Sequence, residues 1–365
     1  MTEQPTRSLS HGWRSFDARG DLRGVSVFRC CAGPLVWVHL WSYFAAALRG
    51  SYFRDSFYVP WFAWYPEPSL PVYRLLLSAA LLAAVALSLG WHARLASWVC
   101  FGVVSYHFFL SETFFHHNRV FLLVFLGGLS LTHCGDALSL DALRASGPPP
   151  ARPLWPLWLW RALACVPYLA SSISKLLDPA WRGGIVTWDR VERYKHLAPR
   201  AVPSALLELA ASPVTHFYLA KGVLALELCV GLGLWFRRTR YCAVWLAVLF
   251  HTAIELSANV QVFSLLGIAG LCIWAVPATR ERRLQLRRGS TLAQRLALAV
   301  RACDWLARFD VVYVEHGPSV SLRERDGRIL VDRAAVPRVL ARLPLTAFFA
   351  LPWIGFDLLR KSPAA

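Results

Sequence analysis

The sequence predicts an all-α polytopic membrane protein, with about eight transmembrane helices and a small mixed α/β cytoplasmic C-terminal tail. Three observations carry this expectation. Apolar residues make up 56% of the 365 residues and charged residues only 17%, against roughly a quarter charged in an ordinary soluble domain. Apolar runs near the ~20 residues needed to cross a bilayer recur along the first three quarters of the chain. Tryptophans gather at the ends of those runs, among them Trp37, Trp41, Trp91, Trp155 and Trp158, as an interfacial aromatic belt requires.

The elements follow in order. Residues 1–24 form a basic N-terminus holding Arg7, Arg14, Arg19 and Arg23. Residues 25–278 form the helical membrane domain, with spans expected near 25–48, 72–90, 94–112, 119–134, 154–175, 217–236, 240–257 and 259–277. The first run is too long for a cleavable leader and has no small-x-small exit, so it reads as its own insertion signal. The loop from Arg49 to Arg74 is too aromatic for a solvated linker and is expected to pack at the interface or cap the bundle. The fourth run is short, and is expected to be half-buried or to thin the bilayer locally. Ser146 to Pro153 reads as a stiff linker. Residues 279–365 form a basic tail. It is expected to open with a juxtamembrane stretch, Arg280 to Arg288, and then an amphipathic helix using Leu292, Leu296, Leu298, Val300 and Trp305. Strands at 311–314, 320–322 and 329–331 follow, the last two joined by an Asp326-Gly327 turn. The apolar stretch Leu343 to Leu359 contains Pro344 and Pro352 and reads as an interfacial segment, not a ninth span.

Charge sets orientation. Lys plus Arg number 39 against 22 Asp plus Glu, a formal net charge of +17. The basic N-terminus, Arg144 with Arg152, Arg237 with Arg238 and Arg240, and the tail fall on one side of an eight-span plan. Both termini are therefore expected in the cytoplasm of a multi-pass cell-membrane protein. The basic loop at about 176–216 runs against this pattern, although long loops partly escape it. Zinc-finger spacing, helix-turn-helix and aromatic-basic RNA motifs are absent. The charge is assigned to membrane lipids as partners, and no nucleic acid is expected. Nine Cys without a CxxC pair do not read as a disulfide framework, and no metal is expected.

A few ionisable residues interrupt the apolar core. Lys175 is one of only four lysines. It reads either as an anchor at the headgroups or as a base, since a desolvated lysine can give up its proton and an arginine cannot. His116, His117, Asn118 and Arg119 open the fourth run, as a polar turn or as binding groups. His251 and Glu255 are spaced i,i+4 on one helix face and need interior partners. Glu227 reads as an interhelical tie and Lys221 as a snorkelling side chain. Asn259, Gln261 and Ser264 are candidates for a cavity mouth. Together these suit a bilayer-accessible pocket for an amphipathic small molecule, and equally a transporter's substrate site.

Several of these stretches resemble one family. Val27-Phe28-Arg29 and the apolar run after it resemble the opening of the HTTM domain, the membrane module of vitamin K-dependent γ-glutamyl carboxylase. Ser171 to Trp181 looks like that family's Lys-Leu-x-x-x-x-Trp segment, with Lys175 matching the proposed catalytic base. His117-Asn118 stands, in reverse order, where the family has an Asn-His pair. Phe250-His251 with Asn259 through Ser264 resembles its late His-to-Phe-Ser segment. The resemblance covers about residues 20–278. It implies that reduced vitamin K or another quinol is deprotonated by a neutral lysine and epoxidised with O2, generating a base strong enough for glutamate carboxylation. His117 and His251 would then orient substrate or stabilise an oxyanion. His116, Asn118, Arg119, Trp181, Glu255 and Asn259 would contact substrate. The carboxylase's large lumenal recognition region has no counterpart after residue 278, which directs attention to quinone or other lipid chemistry. The alternative is a transporter or lipid-binding protein without catalysis. The tail also resembles, faintly, the later part of DCC thiol-disulfide oxidoreductase-like proteins, without their paired cysteines.

Overall fold

The computed structural model describes residues 19–20, 22–51, 58–145, 150–194, 211–236, 238–258, 262–274, 282–304 and 308–343. A two-residue strand β1 (Arg19–Gly20) leads into α1 (Arg23–Leu48), α2 (Leu70–Leu89), α3 (Ala93–Leu110), α4 (His117–Leu131) and the short α5 (Leu140–Arg144). Strand β2 (Arg152–Pro153) pairs antiparallel with β1. Then come α6 (Trp155–Leu177), α7 (Pro179–Arg182), α8 (Ile185–Tyr194), α9 (Pro213–Gly233), α10 (Arg240–Ala258) and α11 (Val262–Leu271). Apolar helices thus stand at each position where a span is expected, with ends displaced by a few residues. Four of them, α1, α2, α3 and α9, are long and apolar enough to cross a membrane, while α4 and Val262–Trp274 are shorter apolar helices. Helix α6 is long enough, but Arg161, Lys175 and a run of serines dilute its apolarity.

Local sequence places the helix ends. Pro71, Pro156 and Pro213 occupy the first turns of α2, α6 and α9, where a missing N–H is harmless. Gly90 ends α2 in the left-handed region, φ 70°, and a Cβ there would press on Ser139 and on the guanidinium of Arg29. Consecutive helices α1 to α4 pack side by side, α6 packs on α9, α9 on α10, α10 on α11, and α11 returns to α1. Phe28, Phe125 and Trp160 meet with ring centroids 5.0–5.1 Å apart and join α1, α4 and α6.

Arg29 is the hub of the first four helices. It is fully buried, yet every nitrogen of its guanidinium donates. NH1 bonds the carbonyls of Leu87 and, at 2.8 Å, Ser88, the loose end of α2. Nε bonds Cys134 O at 3.1 Å and NH2 bonds Leu138 O at 2.5 Å. One cation thus caps a helix C-terminus, whose carbonyls have no partner within the helix, and orders the segment after α4.

The tail is a separate core. Strand β3 (Arg282–Arg287), α12 (Thr291–Cys303), β4 (Phe309–Val314), β5 (Val320–Arg323), β6 (Ile329–Val331) and α13 (Asp332–Leu340) form a four-stranded sheet with helices, in strand order β4-β3-β5-β6. Only β3 and β4 run parallel. Strand β3 corrects the expected juxtamembrane stretch. Its arginines conceal a period-two pattern in which Leu284 and Leu286 point into the core. Arg282 is buried with them, its Nε 2.9 Å from Glu324 Oε2. Desolvation opposes ionisation of Glu324, but hydrogen bonds from Arg342 and Arg282 outweigh it and hold the carboxyl below its usual range. The amphipathic helix is present with a different inner face: Ala293, Leu296, Ala297 and Val300 are buried, whereas Leu292 and Leu298 are exposed. The Asp326-Gly327 turn stands as expected, Gly327 at φ 83°. Trp305 and residues 344–365 lie outside the described residues.

Replacing Arg29 with Leu strands four carbonyls in an apolar setting. We expect a loss of roughly 3 kcal/mol or more, read as a lower thermal midpoint in detergent than Arg94→Ala, a change at an exposed arginine. An equal midpoint would remove Arg29 from this role.

Candidate functional site

Helix α6 builds the site. Tyr168, Ser171 and Lys175 recur at i, i+3 and i+7, one stripe of the helix, and Leu219, Val223 and Glu227 make a matching stripe on α9. The two stripes face each other across a cavity of about 620 Å³. Trp181 of α7, Thr187 and Arg190 of α8, Phe250, His251 and Ile254 of α10, Phe263 of α11, and His116, His117 and Asn118 at the start of α4 complete the wall. A volume of this size suits a small amphiphile. A second apolar cavity of about 20 Å³ adjoins it, sharing Pro167, Tyr168, His251 and Phe263 and running on to Phe121, Phe125 and Leu266.

The chemical centre is an ion pair. Lys175 Nζ lies 2.5 Å from Glu227 Oε1, with side-chain exposures of 15% and 4%. Ser171 Oγ donates to the same carboxylate oxygen at 3.1 Å. The other, Oε2, is buried and has no hydrogen-bond partner among the described residues. The chain turns sharply after Lys175 because Asp178 Oδ1 accepts from Ala180 N at 2.8 Å and starts α7. That turn folds Trp181 back over the lysine, Nζ to ring centroid 4.6 Å. Phe250 lies 5.9 Å from Nζ on another side. The Lys-to-Trp spacing in the sequence is therefore the spacing of a lid.

A second polar pair lies deeper. Tyr168 Oη and His251 Nε2 are 2.8 Å apart, and Nδ1 of His251 is buried without a partner among the described residues. His251 occupies the space opposite Gly267, where any Cβ would overlap the imidazole. At the rim, His116 Nδ1 accepts from Asn118 N at 3.3 Å and so caps α4. Partial burial, then Arg119 and His117, hold its imidazole below the usual range.

Of the residues singled out from sequence, Lys175, His116, His117, Asn118, Trp181 and His251 line the one cavity. Arg119 does not: its guanidinium turns away, donating to Phe114 O at 2.8 Å and lying 5.7 Å from the Tyr43 ring. Glu255 is half-buried outside the lining, and His251, on the same face of α10, is bonded to Tyr168. Lys221 lies over Phe217 at 5.1 Å, also outside the cavity. Asn259 and Gln261 lie outside the described residues. Sequence reasoning missed Tyr168, Ser171 and Arg190, and named Glu227 without its partner. The α6 stripe was available as a signal for the first two. Arg190 had none, since only the turns through α7 and α8 return it to the cavity.

These features define a helical membrane protein with a largely apolar cavity at one end of its bundle, carrying a few convergent polar groups. A family model, the HTTM domain, matches residues 19–278, and the chain belongs to the HTTM family. Comparison with curated proteins and with solved structures yields no match.

The ion pair invites a double-mutant cycle. Glu227→Leu alone leaves a buried ammonium uncompensated and is expected to cost about 3–5 kcal/mol, Lys175→Met alone strands the carboxylate, and the two together should recover most of the loss. Additive losses, measured by denaturation in detergent, would mean that the two side chains do not interact.

Proposed function

We propose that this chain is an HTTM-type membrane enzyme whose cavity takes a quinol or similar amphiphilic lipid, with Lys175 as the base. The observation that carries this reading is the position of Lys175, a lysine wrapped by Trp181, Phe250 and Glu227 on the wall of a cavity of about 620 Å³. The residues present suit a reduced naphthoquinone. Phe250, Phe263, Val223 and Leu219 offer apolar walls, while Glu227 Oε2 and His251 Nδ1 are buried polar atoms awaiting a partner. When bound, such a quinol would supply an acidic hydroxyl and the reducing electrons, with O2 as the oxidant for epoxide formation.

The chain's own residues divide the remaining work. In this role the proton of the Lys175–Glu227 pair passes to Glu227, and Lys175 Nζ, left as the neutral amine, takes the proton of a hydroxyl held within hydrogen-bond reach. Glu227 and Ser171 fix the position of Nζ through Oε1. Tyr168 holds His251, so that its imidazole can orient the ligand's second oxygen or donate to a developing oxyanion. Trp181 and Phe250 keep water from the amine. His117 and Asn118 stand at the rim, placed to meet the part of a ligand that reaches the membrane surface.

The ion pair itself favours a second reading. A lysine already engaged by a carboxylate is a gripping charge, and the cavity would then bind or pass a small amphiphile without changing it. Lys175→Arg separates the two. The base reading predicts that turnover of a reduced quinone disappears while expression and thermal stability stay near the parent's. Unchanged turnover would eliminate Lys175 as the base. Flux of an amphiphile in liposomes without chemical change would establish the second reading.

We also infer eight spans in the cell membrane, both termini cytoplasmic, and residues 279–365 as a cytoplasmic domain. The basic segments at alternate ends of the apolar helices support this. A cysteine introduced at exposed Arg328 is expected to resist an impermeant maleimide in intact cells and to react after lysis. Labelling above the parent's background in intact cells would overturn the topology.

A further inference from the structure

The end of the bundle opposite the cavity holds a cation that has no counter-charge among the described residues. Arg161 lies 14 residues before Lys175 on α6, about 21 Å along the helix at ~1.5 Å per residue. It is only 5% exposed. Its guanidinium lies between two indoles, 5.0 Å from the Trp158 ring and 5.1 Å from Trp274. Arg240, at the start of α10, brings a second guanidinium 5.3 Å from the same Trp274 ring. Trp235 completes the frame, stacked on Trp158 at 6.3 Å and edge-on to Trp274 at 5.2 Å. Among the described residues no carboxylate pairs with Arg161. Its Nε and the Nε1 of Trp274, itself 3% exposed, are buried donors without an acceptor among the described residues.

Magnitudes show what is missing. A cation–π contact contributes about 0.5–2 kcal/mol, whereas desolvating one ion costs several kcal/mol even after relaxation. Two indoles do not offset that, and Arg240 adds like-charge repulsion. Arg240 is itself engaged, its Nε donating to Leu234 O at 3.0 Å; the open groups are the Arg161 and Trp274 donors, so their complement is an anion rich in acceptor oxygens. The tryptophans mark the depth of the headgroups, Trp235 is 38% exposed, and the adjoining sequence Arg237-Arg238-Thr239-Arg240 attracts an anionic leaflet. Both Arg161 and Trp274 face inward between helices, which distinguishes the place from a diffuse basic surface.

We propose that Arg161, Arg240 and Trp274 bind the phosphate of an anionic phospholipid headgroup, with Trp158 and Trp235 as the walls of the site. The site is separate from the Lys175 cavity and does not depend on its chemistry. The same phosphate chemistry is available from free phosphate, and Glu281 is an acidic residue close to Trp274 in sequence, so the experiment sets all three against one another.

The full-length protein is melted in a neutral detergent with added phosphatidylglycerol, phosphatidylcholine or sodium phosphate. Phosphatidylglycerol is expected to raise the midpoint saturably, by several degrees, and the other two to leave it unchanged. Arg161→Met should weaken the lipid's apparent affinity by roughly tenfold or more and should raise the lipid-free midpoint, since an uncompensated charge is gone. That second effect runs opposite to ordinary loss of packing. Trp274→Phe and Arg240→Gln should weaken the response as well, and carry the test if Arg161→Met does not fold. Glu281→Gln should leave the response intact. The proposal is overturned if Arg161→Met responds like the parent, if phosphatidylcholine or sodium phosphate reproduces the shift, or if Glu281→Gln lowers the lipid-free midpoint while phosphatidylglycerol has no effect on the parent.

Discussion

Everything specific in this bundle follows from the difficulty of placing charge among apolar helices. A cation buried there must find carbonyl dipoles, a carboxylate, aromatic faces or an external anion. Arg29 takes the first solution and ties α1 to the end of α2 and to the segment after α4. Lys175 takes the second and third together, with Glu227 and Trp181. Among the described residues, Arg161 has aromatic faces alone. Side chains of one class, on similar helices, thus come to hold the fold together, to furnish a cavity and to mark a ligand site, according to what surrounds them.

The polar features segregate to the two ends of the bundle. Arg29, Arg161 and Arg240 lie at one end, where α1, α6 and α10 begin and α2 and α9 finish. Lys175, Glu227, His251 and the His116–Asn118 turn lie at the other. Between them the packing is apolar and dense, with Gly33, Gly128 and Gly267 admitting neighbouring backbone or rings where a Cβ would collide. This arrangement suits a protein that works at a membrane surface. The cavity we propose as the ligand site lies at one rim, and the lipid contact we infer lies at the other.

Much of this was legible in the sequence, and the failures have physical causes. Hydropathy located the helices because a bilayer-length run of Leu, Ala, Val and Phe has few other fates. Strand β3 was hidden because its arginines outweighed the alternation of Leu284 and Leu286, and charge was read before period. The inner face of α12 was misassigned because Leu292 and Leu298 are more apolar than the alanines that pack, and burial follows position on the helix, not size. Lys175, His117, His251 and Trp181 were legible as chemistry, since an ionisable or long-spaced aromatic residue stands out in an apolar chain. Glu255 and Arg119 stood out for the same reason but turn elsewhere, because spacing within one helix does not say which neighbour a face will meet.

By itself, the sequence determined the class of protein, the location of the helices and the family to which residues 19–278 belong, because composition and periodicity act locally and the motifs are read along the chain. The tertiary structure alone decided the partnerships: Glu227 with Lys175 across 52 residues, Tyr168 with His251 across 83, and Arg29 with carbonyls as many as 109 residues away. These depend on which helix faces are brought together. That choice is made by the packing of the whole bundle and by the requirement that each buried charge end beside something able to hold it.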